Sequence, residues 1–211
     1  MHISKSARQA HDDLLKLGDM SVRMAAIERA VHYPPGRPEN DAEHSFHLAL
    51  SAVEMAAEYY PELDVGLVAQ FSIVHDLAEI HTGDVPTFGI SPEKRAAKEA
   101  AEKLSVKRLL KELPPHTAQL LKRYEDQTEP EAKFVRFIDK LLPAVIHAIA
   151  TGANKDVFQK TYGLKSSKDL QTGIDERIAL LQQMFPEFEL IHAVHDLVSA
   201  TSNERLFGKD S

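Results

Sequence analysis

The chain has 211 residues, 43% of them hydrophobic, which is enough for one medium domain with a real core and gives no reason to expect a second. Its 25 basic and 32 acidic residues leave a net charge of −7, so no general attraction to a nucleic-acid polymer or an anionic membrane follows, and a phosphate ligand has to be met by local positive charge. The absence of cysteine excludes disulfides, thiolate catalysis and Cys-based zinc sites, and the absence of tryptophan with 7% aromatic residues argues against a base-stacking surface for nucleic-acid strands.

No segment approaches a continuous apolar span, and Met1 to Gln9 lacks the hydrophobic core of a signal peptide, so the expectation is a soluble, cytoplasmic protein. Apolar residues at helical spacing predict two helices, Ser6 to Leu17 and Met20 to Val31, broken at Gly18. The His11-Asp12 pair in the first has polar neighbours and reads as surface. Tyr33-Pro34-Pro35-Gly36-Arg37-Pro38 cannot continue a helix, because prolines remove donors and restrict their predecessors, so a loop is expected. Asn40 with Glu43 three residues on resembles a capping box, starting a helix at Asn40 or Asp41 that runs to about Tyr60. His44, Leu48 and Ser51 share a stripe of that helix, so His44 points inward; His47 is a competing ligand candidate.

Pro61 ends that helix and Asp64 begins the next, whose inward stripe is Val65, Val68, Ala69, Ile73 and Leu77. Into this run are set His75, Asp76 and Glu79. His75 and Glu79 are four apart and lean to one side, with Asp76 on the adjoining side. A divalent metal would account for burying an imidazole and ionised carboxylates together; the plain alternative is a satisfied core histidine beside a surface salt bridge. Gly83, Asp84 and Pro86 then end the helix in a polar loop. The His-Asp dipeptide recurs at His11-Asp12 and His195-Asp196, so its setting and not its presence carries the signal.

Ser91-Pro92-Glu93 is a helix start, followed by a charged, solvated helix over Lys94 to Leu113 whose Lys94 and Arg95 stand near the preceding loop, where they can help hold a phosphate. Pro114-Pro115 separates it from a short helix, His116 to Glu125. After Asp126 to Pro130 comes an apolar helix carrying Phe134, Val135, Ile138, Leu141, Leu142, Val145, Ile146 and Ile149, which Pro143 is expected to kink. Asp139 stands inside it, a cost that either a cation or a salt bridge to Arg136 or Lys140 would offset; Lys140, the next residue, does not face the same way on a helix. Residues 151 to 171 are polar, with Gly152 as a cap and Phe158 and Tyr162 as anchors, before two last helices, Thr172 to Met184 and Glu187 to Ala200. His192, His195 and Asp196 have ligand spacing there but no partner elsewhere, and are read as a helix face. No strand pattern competes, and the fold class is all-α.

His44, His75, Asp76 and Asp139 thus collect on three helices, a set suited to one divalent ion such as Mn, Co, Fe, Ni or Mg with open positions for water and substrate, and Glu79 is placed for proton transfer. The order resembles the HD superfamily of metal-dependent phosphohydrolases, and more closely its 5'-deoxynucleotidase branch. The matching stretches are Arg37 to Ser45, His75 to Glu79 with Thr82-Gly83-Asp84-Val85-Pro86, Tyr124 to Gln127, and Glu131 to Val135 leading to Asp139, within residues 25 to 145. The resemblance implies a single HD-domain helical bundle over residues 1–211 with a helical C-terminal extension from about 151, usually a homodimer, that hydrolyses nucleoside 5'-monophosphates with a metal-activated water. It implies roles for Arg29 at the phosphate or adjacent sugar, Glu79 as catalytic acid or base, and Asp84 at the substrate sugar and the attacking water; Thr82 in the same loop and Lys94 beside it are read as further substrate contacts. Ala30 stands where the family often has a tryptophan closing the sugar pocket, which leaves deoxyribose or ribose, and mono- or triphosphate, open. A dNTP triphosphohydrolase and a regulatory nucleotide-binding HD protein are the competing readings.

Overall fold

The computed structural model describes residues 3–86, 90–150, 155–156, 160, 163–164 and 166–208. Helix α1 (Lys5–Met24) starts where the Ser4 hydroxyl accepts the Ala7 amide, and runs straight through Gly18. The expected break is absent because one helical glycine costs only about 1 kcal/mol, and Met20 and Met24, both buried, hold this half of the helix against the core. The helix expected to continue to Val31 instead stops at Met24. Glu28–Tyr33 is strand β1, paired antiparallel with β2 (Arg37–Asn40), with Glu28 opposite Asn40 and Tyr33 opposite Arg37. Met20, Met24, Ile27 and Val31 fit a helical period, but a short strand cannot be distinguished by period alone. What decides it is the turn, closed by the Gly36 amide on the Tyr33 carbonyl (2.6 Å) with Gly36 at φ +125°. This hairpin is the one sheet among the described residues of an otherwise helical, all-α protein.

Asn40 then caps α2 (Asp41–Tyr59) through the expected box, its side chain accepting the Glu43 amide while the Glu43 carboxylate accepts the Asn40 amide. α2 buries His44, Leu48, Ala52 and Ala56 at four-residue steps. Asp64 caps α3 (Val65–Val74), which buries Val68, Phe71, Ser72 and Val74 and leaves Ile73 61% exposed, so its inward face is rotated from the one expected. Next come α4 (Glu79–Thr82), α5 (Pro92–Glu112), α6 (Pro115–Asp126) and α7 (Pro130–Ile149). The chain closes with α8 (Ser167–Met184) and α9 (Glu189–Phe207), both longer than expected. The cap expected at Gly152 and the anchors Phe158 and Tyr162 lie outside the described residues.

α7 is central, packing against α2, α3, α6, α9 and β1. Its Phe134 and Phe137 are fully buried and meet Tyr60, Phe185, Phe188 and His192 at ring distances between 4.6 and 5.6 Å. Truncating such a ring costs about 3–5 kcal/mol. No helix of the described residues is long and apolar enough to cross a membrane.

Candidate metal centre

α2, the end of α3 and α7 bring His44, His75, Asp76 and Asp139 together. His44, not His47, is the inward histidine: its Nε2 lies 3.0 Å from Asp139 Oδ1 and 3.9 Å from Asp76 Oδ2, and its ring centre is 5.3 Å from that of His75. Asp139 is buried at 5% exposure, and Lys140, expected to face away, folds its long chain back onto Asp139 Oδ2. Arg136 goes elsewhere, over the Tyr124 ring.

His75 does not sit mid-helix. α3 ends at Val74, and amides now reach back three residues: Leu77 to Val74, Glu79 to Asp76, Ile80 to Leu77. With three residues per turn, positions three apart eclipse, so Asp76 and Glu79 stack on one side, where a regular helix would pair Glu79 with His75. α4 is tied down by Ser105 of α5, whose hydroxyl donates to the Ala78 carbonyl (2.6 Å) and meets His81 Nδ1 (2.9 Å). Tyr124 of α6 packs edge-on against the His75 ring.

The donor set fits a cation on two observations. First, His75 Nδ1 is 2.8 Å from the Ser72 carbonyl, to which it donates, leaving Nε2 buried and facing Asp76 Oδ2 at 2.9 Å, within ion-pair range but out of line for a hydrogen bond. With Nδ1 carrying the proton, Nε2 and Oδ2 at this distance call for a positive charge between them, which either a second ring proton or a metal ion supplies. Second, the carboxylates of Glu39, Asp41, Asp76, Glu79, Asp84 and Asp139 crowd around the cations Arg29, Lys98 and Lys140 so closely that Asp41 and Glu79 are pushed toward their protonated forms, as in a site short of positive charge. Asp76 and Asp139 nonetheless stay ionised: burial would raise both, but His75 and Arg29 outweigh it at Asp76, and Lys140 and His44 at Asp139. Burial and Arg29 lower the His44 imidazole, and hydrogen bonds to Asp139 and Glu39 overcome them, leaving it at about 9.

Arg29, on β1, is placed at the centre's edge, its Nη1 2.8 Å from Asp76, 3.0 Å from Asp41 and 3.8 Å from Glu79. Burial opposes its charge, which Asp76, Asp84, Asp139 and Glu79 maintain. Two carboxylates that sequence reasoning gave no role stand behind it. Asp41, fully buried, is pushed up to about 6 by burial and Asp76 against the pull of Arg29. Glu39, 1% exposed, accepts the Tyr33 hydroxyl (2.7 Å) and lies 3.4 Å from His44 Nδ1, where it would hold the Nδ1 proton of a ring whose Nε2 bound a cation. Both lie in Arg37 to Ser45, and their only sequence signal is acid crowding beside a candidate ligand.

Glu79 is buried, with Oε1 3.3 Å from Lys98 Nζ. Burial first, then the charges of Asp76 and Asp84, push its carboxyl up to about 10 despite Arg29. Asp84 lines the same cleft. Thr82 does not: its hydroxyl turns to the Ala78 and Gly83 carbonyls of its own helix end. Lys94 is exposed in the first turn of α5, and the α5 lysine that reaches the centre is Lys98, one turn on, in phase with the site.

Two clefts meet at Asp76, Glu79 and Asp139. One has apolar walls from Val31, Pro143, Leu170 and Ile174; the other is charged, with Arg95, Arg136, Glu99 and Glu125. The C-terminal histidines read as a helix face are both buried: His192 Nε2 pairs with the Phe185 carbonyl at 2.9 Å, and His195 lines the apolar cleft. Asp196 is exposed.

Comparison with known proteins gives concordant matches. The profile of the HD domain family matches residues 24–178. A 5'-deoxynucleotidase of Bos taurus is 30% identical over 106 residues, 49% of this chain and 50% of that protein, so the chain spans about half the length of that relative. A dATP triphosphohydrolase of Cyanophage S-2L is 44% identical over 57 residues, 26% of this chain and 33% of its own. A solved structure from Magnetospirillum magnetotacticum MS-1, described as a predicted metal-dependent phosphohydrolase, superposes with a TM-score of 0.74 over 99% of this chain and 100% of its own, at 21% identity.

Proposed function

The chain belongs to the HD domain family, and on that premise we propose that it is a metal-dependent phosphohydrolase that cleaves (deoxy)nucleoside 5'-monophosphates to nucleoside and phosphate. The observation that carries the reading is the buried convergence of His44, His75 and Asp76, with His75 Nε2 2.9 Å from Asp76 Oδ2 and Asp139 3.0 Å from His44 Nε2. One divalent cation, Mn, Co, Fe, Ni or Mg, would be held by His44, His75, Asp76 and Asp139, and such an ion supplies a water of lowered pKa and neutralises a phosphoryl oxygen. In the reaction the water oxygen bonds to phosphorus as the P–O5' bond breaks. Glu79, which its surroundings keep protonated, gives its proton to the departing 5'-oxygen and regains one from the attacking water. Arg29 and Lys98 face the phosphoryl charge, and Asp84 stands at the sugar side of the same cleft.

A second reading, a triphosphohydrolase, is favoured by Ala30, which widens the cleft beside Arg29, and by the local match to a dATP triphosphohydrolase. We also assign residues 1–211 to one domain and expect a homodimer, since Phe46 and Leu50, one turn apart on α2, are 72% and 63% exposed; light scattering at a monomer mass would overturn the dimer. The test of activity is a panel of mono- and triphosphates, deoxy and ribo, with Mn²⁺, Co²⁺ and Mg²⁺. Orthophosphate from monophosphates is expected, inorganic triphosphate would select the second reading, and inactivity across the panel would refute both.

A further inference from the structure

The apolar cleft carries a polar surface that hydrolysis does not use. α9 presents His195, Ser199 and Ser202 at steps of four and three residues, which places them on one helix face, and they are 3%, 2% and 3% exposed. All three line the cleft that also holds Arg29, Asp76 and Glu79.

Buried polar groups in folded proteins are nearly always hydrogen-bonded. The neighbours of this stripe on α9 obey that rule. Asn203 donates to Gln171 (3.0 Å), and His192 pairs with Phe185. The stripe is the exception. Among the described residues His195 has one contact, to Ser199 Oγ at 3.5 Å, longer than an ordinary hydrogen bond, and the Ser202 hydroxyl makes none. The polar atoms of the stripe that lack a close protein partner among the described residues therefore line the cavity.

We propose that this stripe hydrogen-bonds the edge of a nucleobase, so that α9 selects which nucleotide reaches the metal centre; the inference rests on the nucleotide phosphohydrolase reading. The chemistry of the cleft fits that occupant. Val31, Leu170, Ile174 and Pro143 offer flat apolar contact for the faces of a ring, while the stripe supplies neutral groups, each able to donate and to accept. Burial, Arg177 and His192 hold the His195 imidazole down to about 4, so it meets its ligand uncharged. An uncharged heterocycle with alternating donors and acceptors is complementary to such a set. A phosphate is better met by Arg29 and Lys98, which line the same cleft beside Asp76 and Glu79.

The test separates base recognition from turnover by using the four free deoxynucleosides, which carry no phosphate, in calorimetric titrations of the metal-loaded protein. The wild type is expected to prefer one of the four by about tenfold, and His195→Leu and Ser202→Ala each to weaken that nucleoside by about tenfold, the change expected from one lost hydrogen bond. Ser202→Ala removes a single oxygen, so it reports even if His195→Leu does not fold. In parallel, the kcat/KM ratio of the preferred nucleotide to deoxyribose 5-phosphate, which lacks a base, should fall by the same factor. Equal binding of all four nucleosides, no binding, or variants that lower both substrates in parallel would overturn the inference while leaving the hydrolase reading intact. Discriminating nucleoside binding without turnover of any phosphoester would sink the hydrolase reading and support the stripe.

Discussion

Glu39→Gln removes a charge and almost no volume from the carboxylate beside His44. Glu39 is 1% exposed, and its Oε2 lies 3.4 Å from His44 Nδ1 and 3.5 Å from Arg29 Nε. If a cation occupies His44 Nε2, the ring proton must sit on Nδ1, and Glu39 is the acceptor placed to take it. Loss of such a partner typically weakens a metal site about 10- to 100-fold, or about 1.4–2.7 kcal/mol. Tyr33→Phe is the comparison: it removes only the hydroxyl donated to Oε1 at 2.7 Å and keeps the charge, so a smaller loss than that of Glu39→Gln is expected. The assay is Co²⁺ titration followed by absorbance, with urea unfolding in chelator to establish that each variant is folded. A role confined to packing would lower stability without moving the dissociation constant of the folded fraction. A folded Glu39→Gln that binds Co²⁺ like the wild type would refute the assignment.

Three further outcomes are expected. Glu79→Gln should lower kcat by about 10²- to 10⁴-fold, the usual contribution of a proton-transfer group, with Co²⁺ affinity retained; a loss of metal instead would make Glu79 a ligand. Saturating metal at about 100 times its dissociation constant should add about 2.7 kcal/mol, or about 5–10 °C in melting temperature; Asp139→Ala should abolish that response, and a melting temperature indifferent to chelation in the wild type would remove the metal from the account. His147, 5% exposed, is held down to about 3 by burial. Above about pH 6.5 it is neutral whether the chain is folded or not, and below that the unfolded chain gains a proton that the folded one refuses, so stability is lost as pH falls toward 3. At pH 4.5 the loss reaches about 2.7 kcal/mol, and urea unfolding of His147→Leu should show a gain of that order over the wild type at pH 4.5 relative to pH 7; a pH-independent difference would contradict the burial argument.

How much of the centre was legible differs by residue. His44 and Asp139 were readable because each interrupts an apolar period with a costly group, and such groups are buried only with a partner. Glu39 and Asp41 were not, since an acid at a helix start is ordinarily a cap and only the return of β2 past Arg29 makes these two something else. Lys94 was chosen by nearness in sequence to the Thr82–Ile90 loop; Lys98 shares its helix face but stands one turn further along α5, and that axial position, set by how α5 packs, is what brings it to the centre. His195 shows the opposite limit: with no partner elsewhere in the chain it reads as a helix face, and its burial depends on α8 and α7 closing around it.

Hydrophobic period, capping residues and proline positions therefore determined the helices and their order, because those signals act within a few residues and need no neighbour. Which way each helix turns was decided by packing: the amides after Val74 tighten to reach back three residues, Asp76 aligns with Glu79, and the hairpin carries Arg29 to them. Distances between charges on separate elements depend on how those elements stack, and a linear pattern holds no record of that stacking.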